Sequence, residues 1–123
     1  MKGLLLFGVC SALAGVILGA FAAHGLRDVL STSMQSTFET GVRYQMYHAL
    51  ALLALPGLSA HADSRYLVRG GRLFVAGTLL FSGSLYLLAT LNLTVLGPVT
   101  PAGGLCFIVG WLFVLVAVWR GKQ

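Results

Sequence analysis

Acidic side chains are almost missing. Asp28, Glu39 and Asp63 are the only three in 123 residues, and charged residues of both signs reach just 9%. A soluble domain carries roughly a quarter of its residues charged, so most of this surface has to face lipid. Three carboxylates beside loops leave no pair inside the apolar segments for acid–base work or a proton relay. Cysteine is equally scarce. Cys10 and Cys106 form no CxxC and fall toward opposite leaflets, too far apart for a disulfide, so both read as small packing residues. HExxH, GxSxG and P-loop patterns are also missing, so neither an enzyme nor a resident metal or cofactor is expected. The basic residues give a net charge of +5. They lie between hydrophobic runs, without a basic face or interleaved aromatics, which argues against nucleic-acid binding.

What the chain does have is length without charge. Gly3–Ala23 gives 21 residues free of Asp, Glu, Lys and Arg, about 31 Å as a helix and close to the hydrocarbon thickness. Tyr44–Ala62 gives 19, and Leu73–Trp119 gives 47. The last would reach about 70 Å as one helix, so it must turn back. LNLTVLGPVTPAGG, with Gly97, Pro98, Pro101, Gly103 and Gly104, marks the turn. The expectation is one domain over residues 1–123: an all-α integral membrane four-helix bundle, up-down-up-down, with spans near 3–25, 34–59, 72–92 and 102–120. Lys2, Arg65, Arg69, Arg72, Arg120 and Lys122 fall on one side, Arg27 and Arg43 on the other. The positive-inside rule then puts both termini in the cytoplasm.

Lys2, the apolar run and Ala20-Phe21-Ala22-Ala23 imitate a signal peptide. The run exceeds a normal h-region of about 7–15 residues, and three further spans follow, so a retained helix is expected. Before span two, Thr32/Gln35 and Ser36/Glu39 have capping-box spacing. Met34, Phe38 and Val42 make an apolar stripe, and Glu39/Arg43 could pair at i,i+4.

Small residues recur in span one. Ser11, Gly15, Gly19 and Ala23, four apart, form a helix-packing stripe whose partner is either another span or a second copy. In span three Thr78, Ser82 and Tyr86 share a face. Their hydroxyls either bond to backbone carbonyls and neighbouring helices or line a small cavity. Trp111, mid-span in four, needs an acceptor for its indole N–H, and a span-three hydroxyl is one candidate. Trp119 sits where an interfacial anchor is expected.

His61 falls in a loop. His24, Arg27, Arg43, Tyr44, Tyr47 and His48 converge on the outer ends of spans one and two, and ionisable residues at membrane depth are functional candidates. Together with Ser82 and Tyr86 they form the candidate polar or ligand site. Three uses stay open: a hydrogen-bonded cap joining the two spans, a pocket for a polar small molecule such as a lipid headgroup or quinone, and metal or haem ligation by His24 and His48.

GAFAAHGL (19–26), YQMYHALALL (44–53), LLFSGSLYLL (79–88) and TPAGGLCFIVGW (100–111) together resemble the small bacterial inner-membrane DUF423 family, which includes YgdD and YwdK. The blocks fall in order, one on or beside each span, with Ala22 where the family usually shows glycine. The resemblance implies a four-span inner-membrane protein with no established activity, and it supplies no catalytic residues. The expected function is that of a non-enzymatic structural, accessory or small-ligand-binding membrane protein. The alternative is a small transporter or channel component acting as an oligomer. The expected partners are the lipid bilayer and either a second copy or a larger membrane complex.

Overall fold

The computed structural model describes all 123 residues, and every regular element is helical. Helix α1 covers Lys2–His24, α2 Thr32–Leu58, α3 Ser64–Gly77, α4 Gly83–Leu91 and α5 Val99–Arg120. A π-helical turn, Thr78–Ser82, joins α3 to α4 in one rod, and a 3₁₀ turn at Thr94–Leu96 precedes α5. Three rods are long and apolar enough to cross a membrane: Lys2–His24, Ser64–Leu91 and Thr94–Arg120. The fourth, α2, has 27 residues but opens with the polar run TSMQSTFETGVR.

Local chemistry sets the ends. Ser31 caps α2 by accepting the Met34 N–H at 3.2 Å, and Asp63 caps α3 by accepting the Arg65 N–H at 3.0 Å. Thus neither expected capping box starts α2. Arg43 donates to Thr40 at 3.0 Å and Glu39 accepts from Gln35, so the Glu39–Arg43 pair does not form either. The α3–α4 rod begins at Ser64, well before the apolar run. Pro101 lies inside the first turn of α5, where its missing N–H would have had no intrahelical partner. Asn92, in the left-handed conformation at φ 54°, ends α4.

The rods pack by seams whose steps alternate between three and four residues, as in a coiled coil. In α2 the seam is Phe38, Gly41, Gln45, His48, Leu52 and Leu55; in α5 it is Gly103, Phe107, Gly110, Val114 and Ala117. Neighbours run antiparallel. Gly8 meets Leu52, Gly15 meets Met46 and Gly19 meets Val42, so α1 descends along α2. Gly70 faces Gly110 and Gly77 faces Phe107, so α3 descends along α5. A Cβ on Gly70 would sit 2.8 Å from the Gly110 carbonyl oxygen. Only hydrogen at both positions lets these backbones approach so closely.

The span-one stripe finds its partner within the chain, on α2. It also bends away from strict four-residue spacing. Ser11 and Gly15 are buried, Gly19 is half-buried, and Ala23 is exposed while Ala22 takes its place. At about 100° per residue, Ala23 lies roughly 120° round the helix from Ser11, but Ala22 only about 20°.

Two apolar clusters result. One gathers Leu52, Leu55, Leu67, Phe74 and Phe107; the other gathers Ala22, Leu26, Phe38 and Ala89 near the opposite end. Leu4 touches Gly71, and Asp63 reaches both the Ala117 carbonyl and Arg120. The N-terminus, the α2–α3 connection and the C-terminus therefore share one end of the bundle. Only 29 of the 123 residues are buried, while Leu13, Ile17, Leu105, Ile108 and Leu115 stand outward. Such a surface suits hydrocarbon as its solvent.

Candidate functional site: an aromatic groove on helix α2

His48 is a seam residue of α2 and only 4% exposed. Its Nδ1 lies 2.7 Å from the Tyr44 carbonyl oxygen, one turn back, and the Trp111 indole donates to its Nε2 at 3.0 Å. A carbonyl only accepts and an indole N–H only donates. The ring is thereby held neutral, with its proton on Nδ1 and the Nε2 lone pair occupied. Phe107 stacks flat on it, centroids 3.6 Å apart and planes 7° from parallel, and Phe74 meets it edge-on at 5.0 Å. The i,i+4 spacings of Tyr44/His48 and Phe107/Trp111 bring both pairs to this one contact between α2 and α5.

Beside this contact runs a groove of about 600 Å³. Tyr44, Tyr47 and His48 of α2 form one wall, and Gly104, Phe107, Ile108 and Trp111 of α5 the other. Phe81, carried by the π-turn, closes the end and packs on Tyr44 with ring centroids 4.9 Å apart. Tyr44, Tyr47 and Trp111 remain exposed, so the groove opens sideways from the bundle. The hydroxyls of Tyr44 and Tyr47 make no hydrogen bond within the protein and are free to meet a ligand. Gly104 leaves the space: a Cβ there would stand 3.7 Å from the Phe81 ring.

A second polar layer lies along the same seam of α2, nearer its start. Gln45 donates to the Ser11 carbonyl at 2.8 Å and accepts from the Tyr86 hydroxyl, while Ser82 donates to the Gly41 carbonyl at 2.7 Å. These bonds tie α1, α2 and the α3–α4 rod at a depth where no water competes. Thr78 donates to the Phe74 carbonyl at 2.9 Å, and Ser84 and Thr100 join α4 to α5 at 2.6 Å. The Ser11 hydroxyl is buried and unpartnered. It lines a smaller groove of about 310 Å³ with Gln45, Thr78 and Tyr86.

A third polar cluster closes the end that carries both termini. Asp63, 1% exposed, accepts from Arg120 Nε at 2.9 Å and lies 3.5 Å from Arg65. Its own N–H donates to the Ala117 carbonyl at 3.0 Å. Burial by itself would push this carboxyl up. The hydrogen bond from Arg120, then those from the backbone and side chain of Arg65, outweigh that and hold it below the usual carboxylate range.

The structure divides the eight residues singled out in the sequence. Tyr44, Tyr47 and His48 come together in the groove, whereas Ser82 and Tyr86 bond to Gly41 and Gln45, earlier on the same seam of α2. His24 and Arg27 are exposed and make no side-chain hydrogen bond, and Arg43 turns to Thr40. The Ala22 carbonyl accepts from Gln35, which places His24 beside the start of α2. His48 lies thirteen residues beyond Gln35, about 20 Å along the helix, so the two histidines share no site. The acceptor for Trp111 is His48, not a hydroxyl of the third rod.

Sequence reasoning passed over Gln45, Asp63, Phe81 and Phe107. Gln45 carried a signal, as the lone amide in an apolar run and on the seam spacing. So did Asp63, as an N-cap before SRYL. The two phenylalanines carried none, because nothing separates them from other apolar residues until the π-turn and Gly104 are seen.

A family described as proteins of unknown function, DUF423, matches residues 18–104. A UPF0382 membrane protein of Staphylococcus epidermidis is 44% identical over 117 residues, 95% of each chain. The UPF0382 membrane protein YwdK of Bacillus subtilis is 41% identical over 118 residues, 95% of this chain and 96% of its own. The UPF0382 inner membrane protein YgdD of Escherichia coli is 38% identical over 120 residues, 98% of this chain and 92% of its own. No solved structure matches. With the apolar rods and the outward-facing leucines and isoleucines, these likenesses make one conclusion: the chain belongs to the DUF423/UPF0382 family and is a multi-pass inner-membrane protein.

Proposed function

We propose that this is a non-enzymatic four-span protein, up-down-up-down with both termini in the cytoplasm, that holds a planar, weakly polar lipid ring of the quinone class. The laterally open groove carries the reading. An occupant arriving within the bilayer meets aromatic walls at Tyr44, Phe81, Phe107 and Trp111, with two free tyrosine hydroxyls available to carbonyl oxygens. A volume of about 600 Å³ accommodates one ring and the start of its tail. Each aromatic stack contributes about 0.5–1.5 kcal/mol beyond its area. His48 offers no proton and no free lone pair, so its part is to hold the walls in place.

The packing of α2 supports a fourth crossing. It lies between α1 and the α3–α4 rod and turns Gln45 and His48 inward. Lys2, Arg65, Arg69, Arg72, Arg120 and Lys122 gather toward one end, and the positive-inside rule makes that end cytoplasmic. An alkaline phosphatase fused after Gln123 is expected to be inactive; an active fusion would refute this orientation.

Ring binding is read from Trp111 fluorescence in lipid nanodiscs, with Trp119→Phe removing the only other indole. A short-chain benzoquinone should quench Trp111 saturably. Gly104→Leu, which fills the groove, should leave only linear, collisional quenching. Linear quenching of equal slope in both proteins would sink the proposal.

A further inference from the structure

The α3–α4 rod is longer than a bilayer needs. Its 28 residues span about 42 Å, against a hydrocarbon core of about 30 Å. The excess, about 12 Å or eight residues, is carried at its start, because α4 is apolar to its end at Leu91 while the first turns hold Arg65, Arg69 and Arg72. These three arginines lie on one exposed face and, with Ser64 and Val68, bound a depression of about 370 Å³. They extend over about 10 Å of helix.

Their charge is largely uncompensated. Six cationic side chains gather toward this end, against a single carboxylate, Asp63, which is already engaged by Arg120 at 2.9 Å. Arg65 stands 3.5 Å from that same carboxylate, Arg69 lies over the Tyr66 ring at 5.4 Å, and Arg72 has no acidic partner. Setting membrane orientation requires only that cations be near this end. It does not require three forked guanidinium groups on one helical face around an apolar floor. That arrangement is a geometry for phosphate oxygens.

We propose that Arg65, Arg69 and Arg72 form a headgroup site for a two-phosphate anionic glycerophospholipid of the cytoplasmic leaflet. Its phosphates lie along the arginine face and its first acyl carbons rest on Val68. Basic residues in this zone attract anionic lipid, and the rod positions these at headgroup depth.

The test is native mass spectrometry of delipidated, detergent-solubilised protein titrated with diphosphatidylglycerol, phosphatidylethanolamine or inorganic phosphate. Arg69→Gln/Arg72→Gln is compared with Lys2→Gln/Lys122→Gln, which removes equal charge toward the same end. Wild type should retain one diphosphatidylglycerol in preference to phosphatidylethanolamine. The arginine pair should bind it about thirtyfold more weakly, from roughly fivefold per basic residue near a membrane surface, and the lysine pair should match wild type. Equal loss in both double variants would reduce the arginines to bulk charge and overturn the site. So would equal retention of phosphatidylethanolamine, or competition by millimolar phosphate. Far-UV circular dichroism accompanies each variant, and lost lipid binding at unchanged helicity is the expected outcome.

Discussion

Replacing Trp111 by phenylalanine keeps an aromatic ring in the wall of the groove but deletes the N–H that His48 accepts at 3.0 Å. His48 cannot turn elsewhere, because its other nitrogen is committed to the Tyr44 carbonyl and Phe107 lies flat on its face. The Nε2 lone pair is then buried without a partner, which costs about 1–2 kcal/mol. His48→Leu should cost more, because it also removes the bond to Tyr44 and the stack on Phe107, the latter about 0.5–1.5 kcal/mol. The double variant isolates the shared bond. If the hydrogen bond is the link between α2 and α5, the coupling should be about 1 kcal/mol, in the upper part of the range for interhelical bonds in membrane proteins. The assay is reversible unfolding of the four proteins in mixed micelles, followed by helical circular dichroism as denaturing detergent rises. Additivity within about 0.3 kcal/mol would refute the reasoning. It would mean that Trp111 acts only as apolar bulk and that the tautomer assigned to His48 has no energetic weight.

Gly70→Ala drives a Cβ to within 2.8 Å of the Gly110 carbonyl oxygen, whereas at Gly83 a Cβ meets nothing within 4 Å. The first should destabilise by about 1–3 kcal/mol and the second should be neutral or stabilise by up to about 1 kcal/mol, both by the same unfolding assay. With the Asp63 carboxyl held below its ordinary value, its contribution is complete above about pH 4 and is lost as pH falls through the depressed folded value. Stability should be flat near neutrality and drop in strong acid, and Asp63→Asn should be less stable at neutrality and show a smaller acid-dependent drop. In the third rod, deleting the exposed Leu80 should convert the π-turn to α-helix. Phe74, Gly77, Ser82, Leu85 and Ala89 would then step by three and four, and the fold should survive. Deleting Leu87, equally exposed, rotates Ala89 and all that follows in α4 by about 100° and should lower the unfolding midpoint more; equal effects would contradict the role given to the turn.

The helices were readable because hydrophobic length and the turn residues around Gly97–Pro101 act locally. The seams were only half readable. Four-residue spacing pointed to Ser11 and Gly15, both buried, but carried the stripe on to exposed Ala23, because a real seam alternates its steps and drifts onto Ala22. The candidate site mixed two kinds of information. Tyr44 and His48 sit four residues apart on one helix, and their proximity followed from spacing. His24 was joined to them on shared polarity and nearness to the outer ends, and polarity does not fix distance. Phe81 and Phe107 matter because the π-turn adds a residue to the third rod and Gly104 leaves a space, and neither fact is written in a single residue type.

Both polar layers converge on α2. His48 holds α5, and Gln45 and Gly41, about one and two turns earlier on the same seam, hold α1 and the third rod. A sliding step of one residue along α2 rotates it by about 100° and breaks every one of these bonds together, since all of them sit on a single seam. Such a slide releases all three neighbours at once. Sliding α2 would therefore have to break buried hydrogen bonds in lipid before any new ones formed. On the proposed reading the part that moves is the occupant of the groove, and α2 is the post to which its walls are tied.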